Sequence, residues 1–384
     1  MRPAVALAAE DAPPASLSVR HWSTREWLAN QAQWDALVAR SGTDALFLSW
    51  DWLTNWWRVF GDMVGGHADI LAFYRGAQLV GLAPLYHRHL RRNGVVLTRS
   101  LQMIGIAWRD PEPLISEYLD VIAAAADLGA VRDACVAHLV AQSDWNELVI
   151  AFTGTGGEWR AAYQRHATAS WQYVRELDRS VTYQADLSQG FASYLGQLRQ
   201  STRRSVWNLR RRLGSEAAVR LEAVSLAAID GAFADLNRLH LLRWNKPAFV
   251  GKRLEFHRQL AGRLAATGDL TMSRLWVNGK VVSVLYDVCK GARQYNIKMA
   301  FDPNFSTQVS LGLIHLGYAM EQAAERKVAS YDFLAGPGRS SDFKRLLSQQ
   351  RYELSCVQIL RGPLLPLLYR WRDRMRRVDS PPVE

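Results

Sequence analysis

The stretch Gln294–Lys344 constrains this chain most, because the hydrophobic period changes twice within it. Gln294–Phe301 alternates as a strand, Asp302–Pro303–Asn304 has turn chemistry, and Ser306–Thr307–Gln308 leads into a helix predicted from about Ser310 to Lys327. Val309, Leu313, Leu316, Met320 and Ala323 recur three or four apart, which gives that helix one face for packing on a sheet. A second strand, Ser330–Leu334, closes on the loop Ala335–Gly336–Pro337–Gly338–Arg339. The amino end of the helix holds the chemistry. Ser310, Leu311 and Gly312 stand where first-turn amides lack intrahelical partners, and a glycine there lets an anion approach the backbone. The same three residues also suit an ordinary helix start, so the motif by itself is unspecific.

The rest of the chain repeats this grammar. A hairpin turning at Gly76 joins strands at Asp69–Tyr74 and Gln78–Tyr86, followed by strands near Val95–Ile104 and Trp145–Phe152 with a helix at Gly129–Gln142 between them. A second hairpin, Leu270–Val277 and Val281–Lys290, turns at Asn278–Gly279, a pair that favours positive φ. Two similar mixed α/β modules follow: residues 1–16 as a disordered start, 17–178 as a first domain, 179–360 as a second that carries the site, and 361–384 as a basic tail. The segment Trp159–Tyr173 reads as the linker, and Phe191–Leu213 as one arginine-rich helix.

With 49% hydrophobic and 22% charged residues the chain is an ordinary folded one, and no stretch approaches the ~18 apolar residues of a membrane span. Its three cysteines, widely spaced among apolar residues, fit reduced buried thiols in a cytoplasmic protein. A net charge of +11 favours an anionic partner. No Walker loop, zinc-type cluster, nucleophile elbow or dinucleotide fingerprint is present, so no metal is expected.

The order Leu239–Trp244, Phe256–His257, Gly279, Tyr295, Phe301–Asp302–Pro303, Ser310–Leu311–Gly312, Asp332–Gly336 and Lys344 resembles the second acetyltransferase-like domain of the CelD-like family, relatives of the FemAB peptidyltransferases within the GNAT superfamily. Phe47–Leu53, Trp56–Trp57, Leu79–Leu85 and Glu117–Tyr118–Leu119–Asp120 resemble that family's first domain. The likeness spans roughly residues 45 to 350 and departs at Ser310–Leu311–Gly312, where many relatives have Ser-Pro-Gly. It implies two tandem GNAT-like domains, an acyl-CoA co-substrate, in the first instance acetyl-CoA, held at Ser310, Leu311 and Gly312, and a sugar-type acceptor in exopolysaccharide (cellulose, capsule or holdfast) synthesis.

Thioester transfer needs positioning, a polarised carbonyl and proton removal, but no nucleophile. The candidates for acid, base and positioning work are His240, Asp332, Tyr295 and Lys344, with Arg243, Trp244, His257 and Gly336 toward the acceptor. Each has a structural alternative: His240 as a satisfied core imidazole, Asp332 as a cap for the Gly336 loop, Tyr295 as packing. Two other readings stand beside this one. In one, a FemAB-like enzyme takes an aminoacyl group from tRNA gripped by Arg203–Arg212. In the other, a non-catalytic protein binds an anionic regulator such as a cyclic dinucleotide. The tail Pro363–Val378 places Leu364, Leu368, Trp371, Met375 and Val378 on one side and five arginines on the others, a pattern suited to the anionic inner-membrane surface, to a cyclic dinucleotide, or to docking on the second domain.

Overall fold

A computed structural model gives the fold, and the residues it describes are 17–92, 96–108, 110, 112–167, 172–306, 309–335 and 340–378. Its strands are β1 (Ser18–Trp22), β2 (Gly66–Arg75), β3 (Gln78–Arg92), β4 (Val96–Met103), β5 (Ile122–Ala123), β6 (Glu147–Thr153), β7 (Gln172–Asp186), β8 (Val219–Ala223), β9 (Ser273–Val277), β10 (Lys280–Lys290), β11 (Arg293–Phe301), β12 (Ser330–Asp332) and β13 (Gln350–Arg361). Both hairpin turns sit where glycine chemistry demands: Gly76 has φ +62, and Asn278 and Gly279 have φ +50 and +76.

All thirteen strands belong to one mixed sheet, ordered β1-β2-β3-β4-β6-β13-β7-β12-β11-β10-β9-β8, with β5 attached to β3. The centre of that order is an exchange. β7, which ends the first half, pairs antiparallel with β12 of the second, and β13, which ends the second half, pairs antiparallel with β6 of the first. β7 and β13 then pair with each other along their length, from Gln350↔Gln184 to Arg361↔Gln172. Each half therefore completes its sheet with a strand from the other.

This arrangement corrects the expected boundary. Position 178/179 falls inside β7, a continuous strand, so the halves are not side-by-side modules joined by a linker. The expected linker is largely the helix Gly156–His166, and β13 went unread. Of β7 the sequence shows only the end, Val181–Asp186, as a strand; Arg175, Glu176, Asp178 and Arg179 mask the alternation of its first part, and Arg351 and Glu353 mask that of β13. The arginine-rich segment is also not one helix. It breaks into Phe191–Gln197, Gln200–Arg203, a π-helical turn Arg204–Asn208 and Leu209–Glu216. Gly317 of the facing helix lies so close to the Val206 carbonyl that a Cβ there would stand 2.7 Å from it, which locates the irregular turn at a tight helix contact.

Helices Ile229–Trp244 and Gly251–Thr267 cover one face of the second half, and Leu311–Glu325 covers the other. Helix Trp50–Val64 of the first half packs on Gly251–Thr267 through Trp52, Phe60 and Phe256, and Asn55 Nδ2 donates to the Phe256 carbonyl at 2.9 Å. The two halves thus share an aromatic core as well as a sheet.

Candidate active site

β11 and β12 run parallel and pair only over Arg293–Tyr295 against Ser330–Asp332; β11 then continues to Phe301 paired with β10 but no longer with β12, which opens a fork in the sheet. Just beyond the fork the β10–β11 ladder slips. Asn296 pairs with Asp287 but Lys298 pairs with Tyr286, leaving Ile297 as an extra residue. Because Tyr295 pairs with Val288 and Lys298 with Tyr286, two residues on the same side of β10, the bulge brings Lys298 onto the face that carries Tyr295.

On that face Asp332 is fully buried and accepts four hydrogen bonds: Tyr118 Oη at 2.6 Å, Thr182 Oγ1 at 2.9 Å, Gln184 Nε2 at 2.8 Å and the Leu334 amide at 2.8 Å. Burial raises its carboxyl, opposed by the Tyr118 hydroxyl and the Arg293 guanidinium. Arg293 lies 3.8 Å from Asp332 and 3.3 Å from Asp44, and although burial works against its charge, those two carboxylates hold it cationic. Tyr295 Oη donates to Asp44 at 2.9 Å, and burial together with Asp44 keeps it protonated. Asp332 and Tyr295 are therefore organising groups at the fork, with every strong acceptor already engaged. A cavity of about 710 Å³ opens between the halves against Asp44, Tyr118, Arg293 and Tyr295.

The single peptide between Leu334 and Ala335 is gripped at both its ends. Both Glu117 oxygens accept from the Ala335 amide, at 2.9 and 3.1 Å, and Lys344 Nζ donates to the Leu334 carbonyl at 2.8 Å. Leu334 sits at φ +57 and Tyr118 at φ +55, two non-glycine residues in the left-handed region on either side of one hydrogen-bond network. Burial pushes the Glu117 carboxyl up and the Lys344 amine down, each opposed by the other's charge.

His240 is buried near the end of its helix, and its Nδ1 lies 2.7 Å from the Lys246 carbonyl oxygen. A carbonyl only accepts, so Nδ1 carries the proton and Nε2 keeps its lone pair. Burial lowers the imidazole's affinity for a second proton despite that hydrogen bond, and Lys298, Lys246 and Arg243 lower it further. Lys298 is itself depressed by burial and by Lys246 and Arg253, so this side of the fork is a nest of cations.

Arg243 lies with its guanidinium carbon 4.4 Å from the Phe301 ring centroid and 4.9 Å from that of Trp244, which is half-exposed. Phe301 in turn abuts the helix start: a Cβ on Gly312 would lie 2.8 Å from its ring. Gly312 is thus required by packing against β11, whatever it offers an anion, while Ser310 occupies the N-cap without a side-chain cap bond. Arg243, Ser310, Leu311 and Gly312 come together at the tip of β11, and Asp332, Tyr295 and Lys344 at its fork. His257 joins neither group. It is fully buried against Phe249 and the Tyr286 hydroxyl, held neutral by burial with its pKa lowered to about 3, and is a core residue rather than an acceptor contact. Gly336 lies outside the described residues.

Sequence reasoning did not single out Asp44, Arg293 or Lys298, and it quoted Glu117 and Tyr118 only within a motif. The cue for those two was their position in a polar run, Ser116–Glu117–Tyr118, between apolar neighbours.

Residues 200–345 match the family model described as an acetyltransferase (GNAT) domain. No curated protein is recognisably related in sequence. Among solved structures the chain resembles FemX, at 12% identity and a TM-score of 0.56, over 88% of this chain and 96% of that one. It also resembles L-PGS from Bacillus licheniformis, at 11% and 0.51 over 89% and 96%. A third likeness is the C-terminal domain of a putative lysylphosphatidylglycerol synthetase from Agrobacterium fabrum, at 10% and 0.50 over 90% and 95%. At such identities the likeness is one of fold. The second half carries an acetyltransferase (GNAT) domain, which makes the protein an acyltransferase, and the two halves interlock through their exchanged strands.

Proposed function

We propose that the protein transfers an acyl group from coenzyme A, in the first instance acetyl, to an amino group on a sugar-type acceptor used in exopolysaccharide synthesis. The observation that carries this reading is the fork itself: a cationic tip at Arg243 and the Leu311 helix start, a free imidazole nitrogen on His240 beside it, and a rigid polar base at Asp332.

The tip fits an acyl-CoA. The first amides of Leu311–Glu325 and the Arg243 guanidinium suit a pyrophosphate, and the gap between β11 and the end of β12 suits an extended chain. Acetyl-CoA supplies a thioester carbonyl. The protein's part is to hold and orient: the bulge at Ile297 takes one peptide out of the ladder, where it is available to a carbonyl oxygen. As the acceptor nitrogen bonds to the acyl carbon and the thioester C–S bond breaks, His240 Nε2, unprotonated at neutral pH, takes the proton that the acceptor amine must lose, and coenzyme A departs as a thiolate that solvent protonates to the thiol. Glu117 and Lys344 fix the left-handed Leu334 turn that walls the fork. The cavity between the halves receives the acceptor, and its sugar character rests on the resemblance to the CelD-like family.

A second reading, aminoacyl transfer from tRNA, is favoured by the whole-chain fold likeness to FemX and to a lysylphosphatidylglycerol synthetase. It would draw on Arg204 and Arg211, which are exposed, but not on Arg210, which is buried between Trp207 and Tyr318 and bound to Glu321 at 2.8 Å. Thiol release from acetyl-CoA, measured with the full chain against a panel of amino sugars and their nucleotide derivatives, separates the two. Acceptor-dependent release supports the first reading. No release with any acyl-CoA, alongside transfer from aminoacyl-tRNA, overturns it.

A further inference from the structure

The C-terminal helix Leu365–Val378 is docked by one side only. Leu365 and Tyr369 are buried against Leu360 and Tyr173. One turn on, Asp373 receives Arg175 Nε at 2.8 Å and the Tyr173 hydroxyl at 3.0 Å, and Arg370 donates to the Gln172 carbonyl at 2.6 Å. Positions 365, 369 and 373 thus form the attached stripe. The docking alternative for the tail is thus met by a different set of residues from the apolar stripe, and these hold to β7 and β13.

The other apolar stripe is left facing outward. Leu364 is 63% exposed, Leu367 50%, Leu368 47%, Trp371 66% and Met375 48%. Spaced three and four apart, these five lie along one side of the helix as a continuous strip, larger than a folded surface ordinarily leaves uncovered. Arg370 and Arg374 follow the stripe on one flank and Arg372 on the other, with Arg376 and Arg377 adding charge at the end of the helix. The helix's one acid, Asp373, is turned inward and paired. Among the described residues no helix is long and apolar enough to cross a membrane.

We infer that the helix Leu365–Val378 lies flat on an anionic membrane surface, its Leu364–Leu367–Leu368–Trp371–Met375 stripe in the headgroup–acyl boundary and its arginines among anionic headgroups. An exposed Leu/Trp stripe edged by arginine and held by a separate docked stripe is the arrangement that interfacial helices need. Charge complementarity selects this occupant. A second copy would bring two arginine-rich helices together, and a nucleic acid would leave the leucines in water. The surface is also remote from the cleft. β13 carries Arg351 at the cavity and Arg361 beside the helix, ten residues apart, or about 33 Å along an extended strand. The helix therefore recruits the protein and takes no part in the transfer step.

Flotation of the full chain with vesicles tests this directly. Vesicles of phosphatidylglycerol mixed with phosphatidylcholine should carry the protein up, and phosphatidylcholine alone should not. Leu367→Gln with Trp371→Gln should reduce recovery in the floated fraction by ~10-fold or more, and so should Arg374→Glu with Arg377→Glu. Both pairs should leave turnover of a water-soluble acceptor unchanged. Since the stripe is exposed, the Leu367/Trp371 variant should keep the parent's thermal midpoint. Undiminished flotation of that variant overturns the inference, as does equal binding to uncharged vesicles. Gel filtration showing a parent dimer that the same variant dissolves would assign the stripe to a second copy instead. Release of the parent from vesicles by stoichiometric polyuridylate or cyclic dinucleotide, with no stripe dependence, would assign the arginines to that anion.

Discussion

The two halves of this molecule build the same fork and use it differently. In the first half β4 and β6 pair in parallel only at Ser100–Gln102 against Glu147–Val149, just as β11 and β12 pair at Arg293–Tyr295 against Ser330–Asp332. Counted from those triplets, Ser100, Gln102 and Val149 stand where Arg293, Tyr295 and Asp332 stand in the second half. The first fork is uncharged at these positions and closed by its own chain. The connection after β4 folds back so that the Trp108 amide donates to Gln102 Oε1 at 2.8 Å, and the Tyr86 hydroxyl donates to the same oxygen at 3.2 Å. The helix that follows, Leu128–Ala141, is preceded by Asp127, a carboxylate bound by Arg75 at 2.7 Å where an anionic ligand would need open amides. The same connection then reaches across to the second half, where Glu117 holds the Ala335 amide and Tyr118 holds Asp332. One of the two forks is filled, and the filling segment completes the other.

Removing Asp332 should break that contrast most severely. Asp332→Ala strands the Tyr118, Thr182, Gln184 and Leu334 donors in a buried site, a loss of roughly 3–5 kcal/mol in urea unfolding, with turnover abolished. The matching Gln102→Ala removes only neutral bonds, costs about 1–3 kcal/mol and leaves turnover intact. If the two variants lose activity equally, the halves are not functionally distinct.

His240→Gln should lower turnover by at least ~10²-fold with little change in unfolding stability, since the side chain serves through Nε2 rather than through packing. The pH profile sharpens this assignment. A base must be unprotonated, and burial holds His240 below its ordinary 6.5, so kcat/KM should rise with pH below that value and be flat at neutrality. A limb near 7 would point instead to Glu117, whose carboxyl burial raises to about 7. Lys344→Met, which removes the grip on the Leu334 carbonyl and the cation facing Glu117, should cost about 10-fold in turnover and leave acyl-CoA affinity unchanged.

Much of the second half was legible because its signals are local. Asn278–Gly279 has the positive φ its turn chemistry requires, and the helix predicted from Ser310 begins at Leu311. The strand exchange was not legible, since the pairing of Gln350 with Gln184 depends on tertiary contacts and the charges of β13 and of the first part of β7 hide their alternation. The site residues missed share one cause. Asp44 meets Tyr295, and Glu117 meets Ala335, across more than two hundred residues, and only the assembled sheet brings them within hydrogen-bond range. Lys298 was hidden differently: the bulge at Ile297 decides which face it takes, and no turn residue announces that bulge. His257 shows the opposite error, an imidazole chosen for its chemistry that the fold buries against Phe249.

We propose that one fork of the two holds acyl-CoA, at the tip where Arg243 and the Leu311 helix start both abut Phe301. Calorimetric titration of acetyl-CoA into the full chain tests it most directly, with Arg243→Glu and Asp127→Lys as paired variants. The account predicts one equivalent bound by the parent, affinity at least ~10-fold weaker in Arg243→Glu because a carboxylate replaces the cation facing the pyrophosphate, and one unaltered equivalent in Asp127→Lys. Two equivalents in the parent, or undiminished affinity in Arg243→Glu, would contradict it.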